Sequence, residues 1–360
     1  MESKNFKYNY ILYNMENGYK WQMYAELHNH DFIRMCRGAL PMNEPLLHKI
    51  HKLHWSAKIN KKINLPFKKL WFKKMTDGKF KDNKPVCYIL YGGQYAIRDP
   101  RICDYIRKLN PENKIALHYR DLLKSEEKHI EMLKNKIALH YRDLMKSESK
   151  YIDMLKSKID VIYTYDKGEA EKYGIKYDSS YVYSRLAEVS EPESFDYDLL
   201  FVGYAKDRLN LIHRVLERAV EKGVRCKFIL VGVKDEDKLN LPGVEYINST
   251  IPYTEVVNYV NRSRCILELT QENAEGATMR TAEAIVYKRK LLTNCNRACE
   301  RADFNPLQMR TFTCEDDIDY QFIKDPIPYS KLSNAENYSP FSELLRLEKF
   351  FSTGEGFDTI

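Results

Sequence analysis

Two glutamates and an arginine lie in and just after a short polar turn of this sequence. Glu275 is in the turn, Glu283 follows with seven residues between them, and Arg280 lies in that interval. Residues 265–269 before the turn are apolar enough for a buried parallel strand, and apolar residues after it recur at helical spacing. Because ligands of open parallel sheets bind outside the carboxyl ends of the strands, this turn is expected to line a ligand site.

The turn itself has the composition of an anion-binding segment. Gly276, Ala277 and Thr278 are small, and a glycine allows backbone N–H groups to approach a phosphate closely. A helix N-terminus favours negative charge, and Arg280 adds a permanent cation. We therefore predict that a phosphate-bearing ligand binds here. The alternative is an ordinary surface loop followed by an amphipathic helix whose glutamate faces solvent.

A second charged turn follows another predicted strand. Residues 199–203 form an apolar segment ending at Gly203, and Lys206 and Arg208 come directly after it, before a predicted helix over residues 208–221. Cations at a helix N-terminus oppose the helix dipole unless an anion is bound there. The unfavourable position of Lys206 and Arg208 relative to the helix dipole therefore indicates that an anion binds beside them. The alternative is that both are solvated residues at the start of a helix.

The run Glu-Gly-(x)6-Glu-Ala after a strand, followed by Lys-Leu-Leu-Thr-Asn, resembles the donor-binding motif of GT-B glycosyltransferases, in particular bacterial enzymes that build lipopolysaccharide or capsule. The resemblance implies a nucleotide-sugar co-substrate, with Glu283 on the ribose hydroxyls and Glu275 on the transferred sugar. It implies that Lys206 and Arg208 hold the donor diphosphate. With those cations and Arg280 stabilising the leaving group, no metal or other cofactor is expected.

The stereochemical outcome also follows from the resemblance. The glutamate pair indicates retention of the anomeric configuration. An inverting enzyme would need a base, for which Asp31, His28 and His30 are the candidates. The acceptor is expected to be a saccharide or a lipid-linked saccharide.

A chain of 360 residues exceeds one ordinary hydrophobic core, so two domains are expected. The strand and helix patterns alternate, which predicts an α/β protein, and the resemblance implies two Rossmann-like domains facing across a cleft. We place an acceptor-side domain at 1–187, a nucleotide-sugar domain at 188–330 and a helix at 331–360 that crosses back to the first domain. A linker rich in Glu, Ser and Pro over 188–194 marks the boundary.

The N-terminal half contributes candidate acceptor residues. Residues 86–91 are its clearest strand, and Gly92, Gly93 and Gln94 follow where a ligand could approach closely. His28 and His30 are further acceptor-side candidates. Together with Asp31 they could also suggest a metal site, but a third ligand set is not identifiable.

An internal repeat occupies residues 114–157. Residues 114–135 and 136–157 align without gaps, and 22 residues is close to six helical turns, so one continuous helix keeps both apolar stripes on one face. We predict a strand at 114–118 and an extended helix over most of 121–157, available for homodimerisation. Two strand-helix copies are the alternative.

Positive charge is concentrated in one segment. Twelve lysines against three acidic residues lie between 44 and 84. Residues 46–75 also carry Trp and Phe between the lysines, which suits an anionic membrane surface, although a solvated helix whose aromatics pack inward explains them equally well. No recognisable nucleic-acid module surrounds them, so nucleic acid is not expected as a partner.

The absence of long apolar runs and the cysteine spacing bear on where the protein acts and whether it binds zinc. No run of about 18 apolar residues occurs, which predicts a cytoplasmic protein, with peripheral attachment at the inner face of the cell membrane through 46–75. Cys295 and Cys299 lack a second pair of ligands and are not expected to bind zinc. The rivals to a transferase are an inactive nucleotide-binding scaffold and a sugar-nucleotide epimerase of the same fold.

Overall fold

The computed structural model describes residues 6–13, 19–36, 45–54, 65–76, 78, 80–91, 100–119, 148–189, 191–270 and 275–358. The chain divides into two compact units. The N-terminal unit comprises Met1–Trp21, Leu27–Asp178 and Leu344–Ile360. The C-terminal unit comprises Gln22–Glu26 and Ser179–Glu343.

Each unit is built on a parallel sheet of six strands. In chain order the strands are β1 (Asn9–Tyr13), β2 (Ile33–Cys36), β3 (Val86–Tyr91), β4 (Lys114–Tyr119), β5 (Val161–Thr164), β6 (Lys176–Tyr177), β7 (Tyr197–Tyr204), β8 (Cys226–Val231), β9 (Val244–Ile247), β10 (Ser263–Glu268), β11 (Lys290–Thr293) and β12 (Met309–Thr311). The first six form one sheet and the last six the other. The predicted α/β class with two Rossmann-like units is confirmed.

Most consecutive strands are connected through α-helices, the usual crossover between parallel strands; β8 to β9 and β11 to β12 are connected through single 3-10 turns instead. The helices are α1 (Tyr19–Met23), α2 (Pro45–His54), α3 (Lys68–Thr76), α4 (Arg101–Leu109), α5 (Glu148–Lys156), α6 (Lys167–Tyr173), α7 (Leu209–Glu221), α8 (Tyr253–Asn261), α9 (Met279–Val286), α10 (Tyr320–Lys324) and α11 (Pro340–Thr353). None of the helices within the described residues is long and apolar enough to cross a membrane.

The sheet of the N-terminal unit has the order β2-β1-β3-β4-β5-β6. Its inner strands β1, β3, β4 and β5 are almost entirely buried, as expected for a doubly wound sheet that helices cover on both faces. The strand order reverses between β1 and β3, which is the switch point of this sheet. The residues that follow β3, 92–99, lie outside the described part of the chain.

The repeat is described only at its two ends. Its first five residues belong to β4, which confirms the predicted strand at 114–118. At the other end, α5 forms part of the second copy, and its Ile152 and Leu155 are buried in the core of the N-terminal unit. Residues 120–147 lie outside the described residues, so the continuous helix over 121–157 and dimerisation through it stay predictions.

The sheet of the C-terminal unit has the order β9-β8-β7-β10-β11-β12. Renumbered within the unit, this is the order 3-2-1-4-5-6 of the Rossmann fold. Its switch point lies between β7 and β10, which pair in parallel through Cys265 with Leu199 and Ile266 with Leu200. The two charged turns predicted from the sequence follow these two strands.

Helix α11 is tied to the start of β1 by one carboxylate. Glu348 Oε1 accepts hydrogen bonds from the backbone N–H groups of Lys7 and Tyr8 at 2.9 and 3.1 Å. It also accepts one from the buried Tyr10 hydroxyl at 2.7 Å. These donors precede β1 or lie within it, so the carboxylate joins the first strand of the N-terminal unit to its last helix.

We predict that Glu348→Ala lowers the free energy of unfolding by about 1–3 kcal/mol, because the buried Tyr10 hydroxyl loses its carboxylate acceptor. Urea unfolding monitored by circular dichroism measures the change. Glu355→Ala is the matched control: Glu355 pairs with Lys349 at the surface, and its removal should cost less than about 1 kcal/mol. Equal effects of the two substitutions would contradict this role of Glu348.

The basic residues Arg289 and Lys290, where β11 begins, have structural roles. Arg289 is buried, and its guanidinium donates to the carbonyls of Val260 and Asn261 at the end of α8. Lys290 is also buried, and its ammonium donates to the carbonyls of Phe322 and Asp325 at the end of α10. Cations at helix C-termini satisfy the last carbonyls and complement the helix dipole.

Burial lowers the pKa of Lys290 to about 8. Between that value and the usual lysine pKa of about 10.4, the unfolded chain binds a proton that the folded chain does not, so stability rises with pH. We predict that the unfolding free energy of the wild type, minus that of Lys290→Met, increases from pH 8 to pH 10. A difference that is flat or falls over this range would exclude the lowered pKa.

Candidate functional site

The candidate site lies at the carboxyl ends of β7 and β10 in the C-terminal unit. Strand β7 passes through Gly203, which has a φ of 157°. Strand β10 ends at Glu268, and the turn that precedes α9 is described from Glu275 onward. Residues 271–274 between them lie outside the described part of the chain. The site therefore occupies the switch point of a Rossmann-ordered sheet.

Arg208 spans this switch point. Its guanidinium donates to the carbonyl of Tyr204 at 2.8 Å and to that of Leu269, so it contacts the ends of both strands. A longer bond of 3.4 Å reaches the carbonyl of Ala205. Burial lowers the pKa of Arg208, with Asp207 opposing that effect. An arginine still stays protonated near neutral pH, so a fixed positive charge lies between the strands.

Lys206 contributes a second cation on the same turn. Its side chain is exposed, and no hydrogen bond or ion pair joins its ammonium to a residue of the described ranges. Its backbone has a φ of 49°, a left-handed conformation that lysine seldom adopts. Strained backbone is concentrated at functional sites, so this conformation agrees with a role for the turn in binding.

A buried carboxylate holds the second turn in place. Glu268 accepts hydrogen bonds from the hydroxyls of Thr278 and Thr281 at 2.6 and 2.7 Å, and from that of Thr293 at 2.7 Å. Thr278 is also the N-cap of α9, where its hydroxyl accepts from the Arg280 N–H at 3.0 Å. Glu268 thus fixes the N-terminus of α9 against β10 and β11.

Glu283 is fully buried on α9, and both of its carboxylate oxygens have partners. Oε2 pairs with the Arg280 guanidinium, and Oε1 lies 2.7 Å from the Tyr253 hydroxyl. The Tyr253 oxygen is also 2.7 Å from the Tyr183 hydroxyl. Because Tyr253 has a single proton, it donates to the carboxylate and accepts from Tyr183.

This buried network sets the charge state of the pair. Burial raises the pKa of Glu283, and the Arg280 guanidinium and the Tyr253 hydroxyl oppose that rise. For Arg280, burial disfavours the charged form, but the adjacent Glu283 carboxylate keeps its pKa raised. The pair is therefore an ion pair, whose net charge is zero, and it orients Arg280 at the first turn of α9.

Glu275 is more accessible than Glu283. Its side chain is about one-third exposed, and Oε2 accepts from the Arg297 guanidinium at 2.9 Å. Its backbone carbonyl accepts from the Cys295 thiol at 3.4 Å. Gly276 and Ala277, the next residues of the turn, are buried. The carboxylate of Glu275 thus lies at the solvent side of the turn, paired with a cation that follows β11.

Of the acceptor-side residues predicted in the N-terminal unit, the structure describes His28 and His30. Gly92, Gly93 and Gln94 lie outside the described residues. His28 stacks on Trp21 with ring centroids 4.2 Å apart, and His30 precedes β2, where its carbonyl accepts from the Ile33 N–H. Both histidines lie before the amino end of β2, whereas ligands of parallel sheets bind at carboxyl ends. Their acceptor role stays a prediction.

The metal site that His28, His30 and Asp31 could suggest lacks a ligand cluster among the residues that the structure describes. Within the described ranges, no three His, Cys, Asp or Glu side chains come close enough together to hold an ion. Asp31 pairs with Lys81, and this lysine lowers the pKa of the Asp31 carboxyl.

Three residues that shape the site were not found from the sequence. Glu268 lies inside an apolar strand, and Tyr253 lies on a helix distant in sequence from Glu283. Arg297 follows β11 by a few residues, so the rule that singled out charged residues after β7 and β10 could have identified it. The other two carry no local signal, because their roles depend on tertiary contacts.

We predict that Tyr253→Phe lowers the unfolding free energy by about 1–3 kcal/mol, because Glu283 loses a donor in a buried site. Thermal unfolding measured without ligand tests this. Tyr204→Phe is the matched control, since the Tyr204 side chain is half exposed and no hydrogen bond joins its hydroxyl to a described residue. A Tyr253 variant as stable as the control would refute the hydrogen-bonded network.

Comparisons with known proteins found similarity at the level of structure. No protein-family model matches the sequence, and no curated protein matches it. Solved structures that align with the chain include a glycosyltransferase of kitacinnamycin, at 10% identity and a TM-score of 0.44, covering 96% of this chain and 98% of that one. An alpha-glucosyltransferase in complex with UDP and DNA aligns at 10% identity and a TM-score of 0.47, over 97% and 95%.

A third aligned structure is the alpha,alpha-trehalose 6-phosphate synthase from Burkholderia multivorans. It has 9% identity and a TM-score of 0.40, covering 95% of this chain and 93% of that one. The strand orders of the two sheets define the fold of the chain independently of these alignments.

Proposed function

We propose that the protein is a glycosyltransferase that binds a nucleotide-sugar in its C-terminal unit. The observation that carries the proposal is the Arg208 guanidinium, hydrogen bonded to the strand-end carbonyls of Tyr204 and Leu269 at the switch point. The sequence contains no G-x-G-x-x-G fingerprint, the glycine-rich turn with which dinucleotide-binding Rossmann folds hold a pyrophosphate. Side-chain cations are therefore the proposed diphosphate ligands.

The chemistry requires stabilisation of a leaving nucleoside diphosphate. Arg208 is fixed by carbonyl oxygens, and Lys206 is exposed beside it, so both charges are available to a phosphate. Fixed cations that meet charge developing in the transition state need no reorganisation during the reaction. The capped N-terminus of α9 adds a favourable dipole on the other side of the switch point.

The two glutamates have different accessibilities, and their proposed roles differ accordingly. Glu275 is partly exposed at the turn, which supports contact between its carboxylate and the transferred sugar. Contact of Glu283 with the ribose hydroxyls remains part of the proposal, but it requires one of its present partners, Arg280 or Tyr253, to exchange for the ligand. Without that exchange, Glu283 acts by orienting Arg280.

The finer assignments rest on the resemblance of the Glu275 to Glu283 segment. They are a saccharide or lipid-linked acceptor in bacterial surface polysaccharide synthesis, retention of configuration and a cytoplasmic site of action. The motif supports these assignments through the enzymes that it resembles. The anomeric configuration of the product, read by proton NMR, distinguishes retention from inversion.

We predict that Arg208→Gln weakens binding of the donor by about 1.5–3 kcal/mol, the contribution of a hydrogen bond to a charged group. The measurement is titration calorimetry against a panel of UDP-, GDP-, ADP- and CMP-sugars, with donor hydrolysis followed in parallel. Arg214→Gln is the matched control, because Arg214 lies on helix α7, which follows Arg208, but pairs with Glu315 at the surface. Unchanged affinity in the Arg208 variant would reject the diphosphate site.

The same panel separates the rival functions. Binding with hydrolysis or transfer supports the transferase. Binding without turnover, in the presence of saccharide acceptors, favours the inactive scaffold, and conversion of one nucleotide-sugar into its epimer identifies the epimerase. No response to any nucleotide would reject all three readings of the C-terminal site.

A further inference from the structure

The apolar face of α2 is directed away from the protein. Leu46, Ile50 and Leu53 are spaced by four and three residues and therefore lie on one side of the helix. Leu46 is 71% exposed and Leu53 is 49% exposed. A surface helix of a globular protein normally buries its apolar stripe against the core. Here the apolar stripe faces outward.

The side of α2 that carries His51 and His54 attaches the helix to α3. The Trp71 indole N–H donates to His54 Nδ1, and the His51 ring lies 5.0 Å from the Trp71 ring. These histidines are one turn apart on α2. The helix is therefore anchored through its histidines, while Leu46 and Leu53 remain exposed.

Helix α3, which contacts α2 through Trp71, and the residue before it also carry exposed apolar side chains. Phe67, which precedes α3, is 72% exposed, and Leu70 within α3 is 62% exposed. Helix α3 is itself anchored, because Phe72 is buried and its ring lies 5.7 Å from that of Tyr105 on α4. Exposed apolar residues grouped in this way mark interaction sites in soluble proteins.

The charges around this surface have one sign. Exposed lysines lie among the apolar residues on both helices: Lys49, Lys69, Lys73 and Lys74. The sequence contains no acidic residue in 45–54 or 65–76. Apolar side chains that are surrounded by lysines match a surface with anionic headgroups above an apolar layer, where lysines pair with headgroups and the leucines and phenylalanine enter the acyl boundary.

We propose that the outward face of α2 and α3, formed by Leu46, Ile50, Leu53, Phe67, Leu70 and the lysines around them, binds the surface of an anionic lipid bilayer. Helix α2 lies in the plane of the interface, since ten residues are too few to cross the hydrocarbon core. This docking surface belongs to the N-terminal unit and does not depend on the proposed donor site.

The test uses the full-length chain and sedimentation with vesicles. The wild type should bind vesicles of equimolar phosphatidylcholine and phosphatidylglycerol much more strongly than vesicles of phosphatidylcholine alone. Leu46→Ser with Leu53→Ser should weaken binding by roughly tenfold or more, because apolar area no longer leaves water. Lys69→Gln with Lys73→Gln should weaken it by about fivefold for each lysine.

Matched controls come from exposed residues of α4. Leu109 is exposed to a similar extent as Leu53, and Lys108 is an exposed lysine. Leu109→Ser and Lys108→Gln should leave vesicle binding unchanged. Because all the substituted side chains are exposed, each variant should keep the melting temperature of the wild type, which separates lost binding from lost folding.

Three results would overturn the proposal. The first is absence of binding to the anionic vesicles. The second is equal binding by the wild type and the Leu46/Leu53 double variant. The third is a dimer of the wild type, detected by analytical ultracentrifugation, that the double leucine substitution dissociates, because the face would then be an interface between copies of the chain.

Discussion

The buried carboxylate of Glu268 organises the part of the molecule where chemistry is proposed. It ends β10 and accepts hydroxyl hydrogen bonds from two threonines at the start of α9 and one at the end of β11. A buried charge is costly unless hydrogen bonds satisfy it, so the three hydroxyls and the strand end are interdependent. This constraint sets where the N-terminus of α9 points, and thereby the position of Arg280 and the turn that carries Glu275.

The sequence predicted the elements of the C-terminal unit well, because apolar segments and helical spacing are local signals. β7, β10 and α9 lie where they were expected, and so do the charged residues that follow the two strands. The partners of those charges could not be predicted, since Tyr253 and Tyr183 reach Glu283 through tertiary packing. Helical periodicity placed Glu283 on α9 but could not show that its side chain is fully buried.

Two basic segments show why charge composition alone was ambiguous. At the start of β11, Arg289 and Lys290 are buried against the carbonyl ends of two helices. The lysines of α3 instead remain at the surface beside exposed apolar side chains. The same residue types therefore serve packing in one unit and form an accessible surface in the other, and only burial distinguishes them.

The hydrogen bonds from Lys7, Tyr8 and Tyr10 to Glu348 constrain the order in which parts of the chain can fold. These contacts join residues more than 330 positions apart, and they belong to a unit whose strands otherwise lie in the first half of the chain. During synthesis, the N-terminal sheet emerges long before its closing helix. Contacts between residues so far apart in sequence form slowly. The first strand therefore cannot form its hydrogen bonds to Glu348 until the ribosome has passed residue 348.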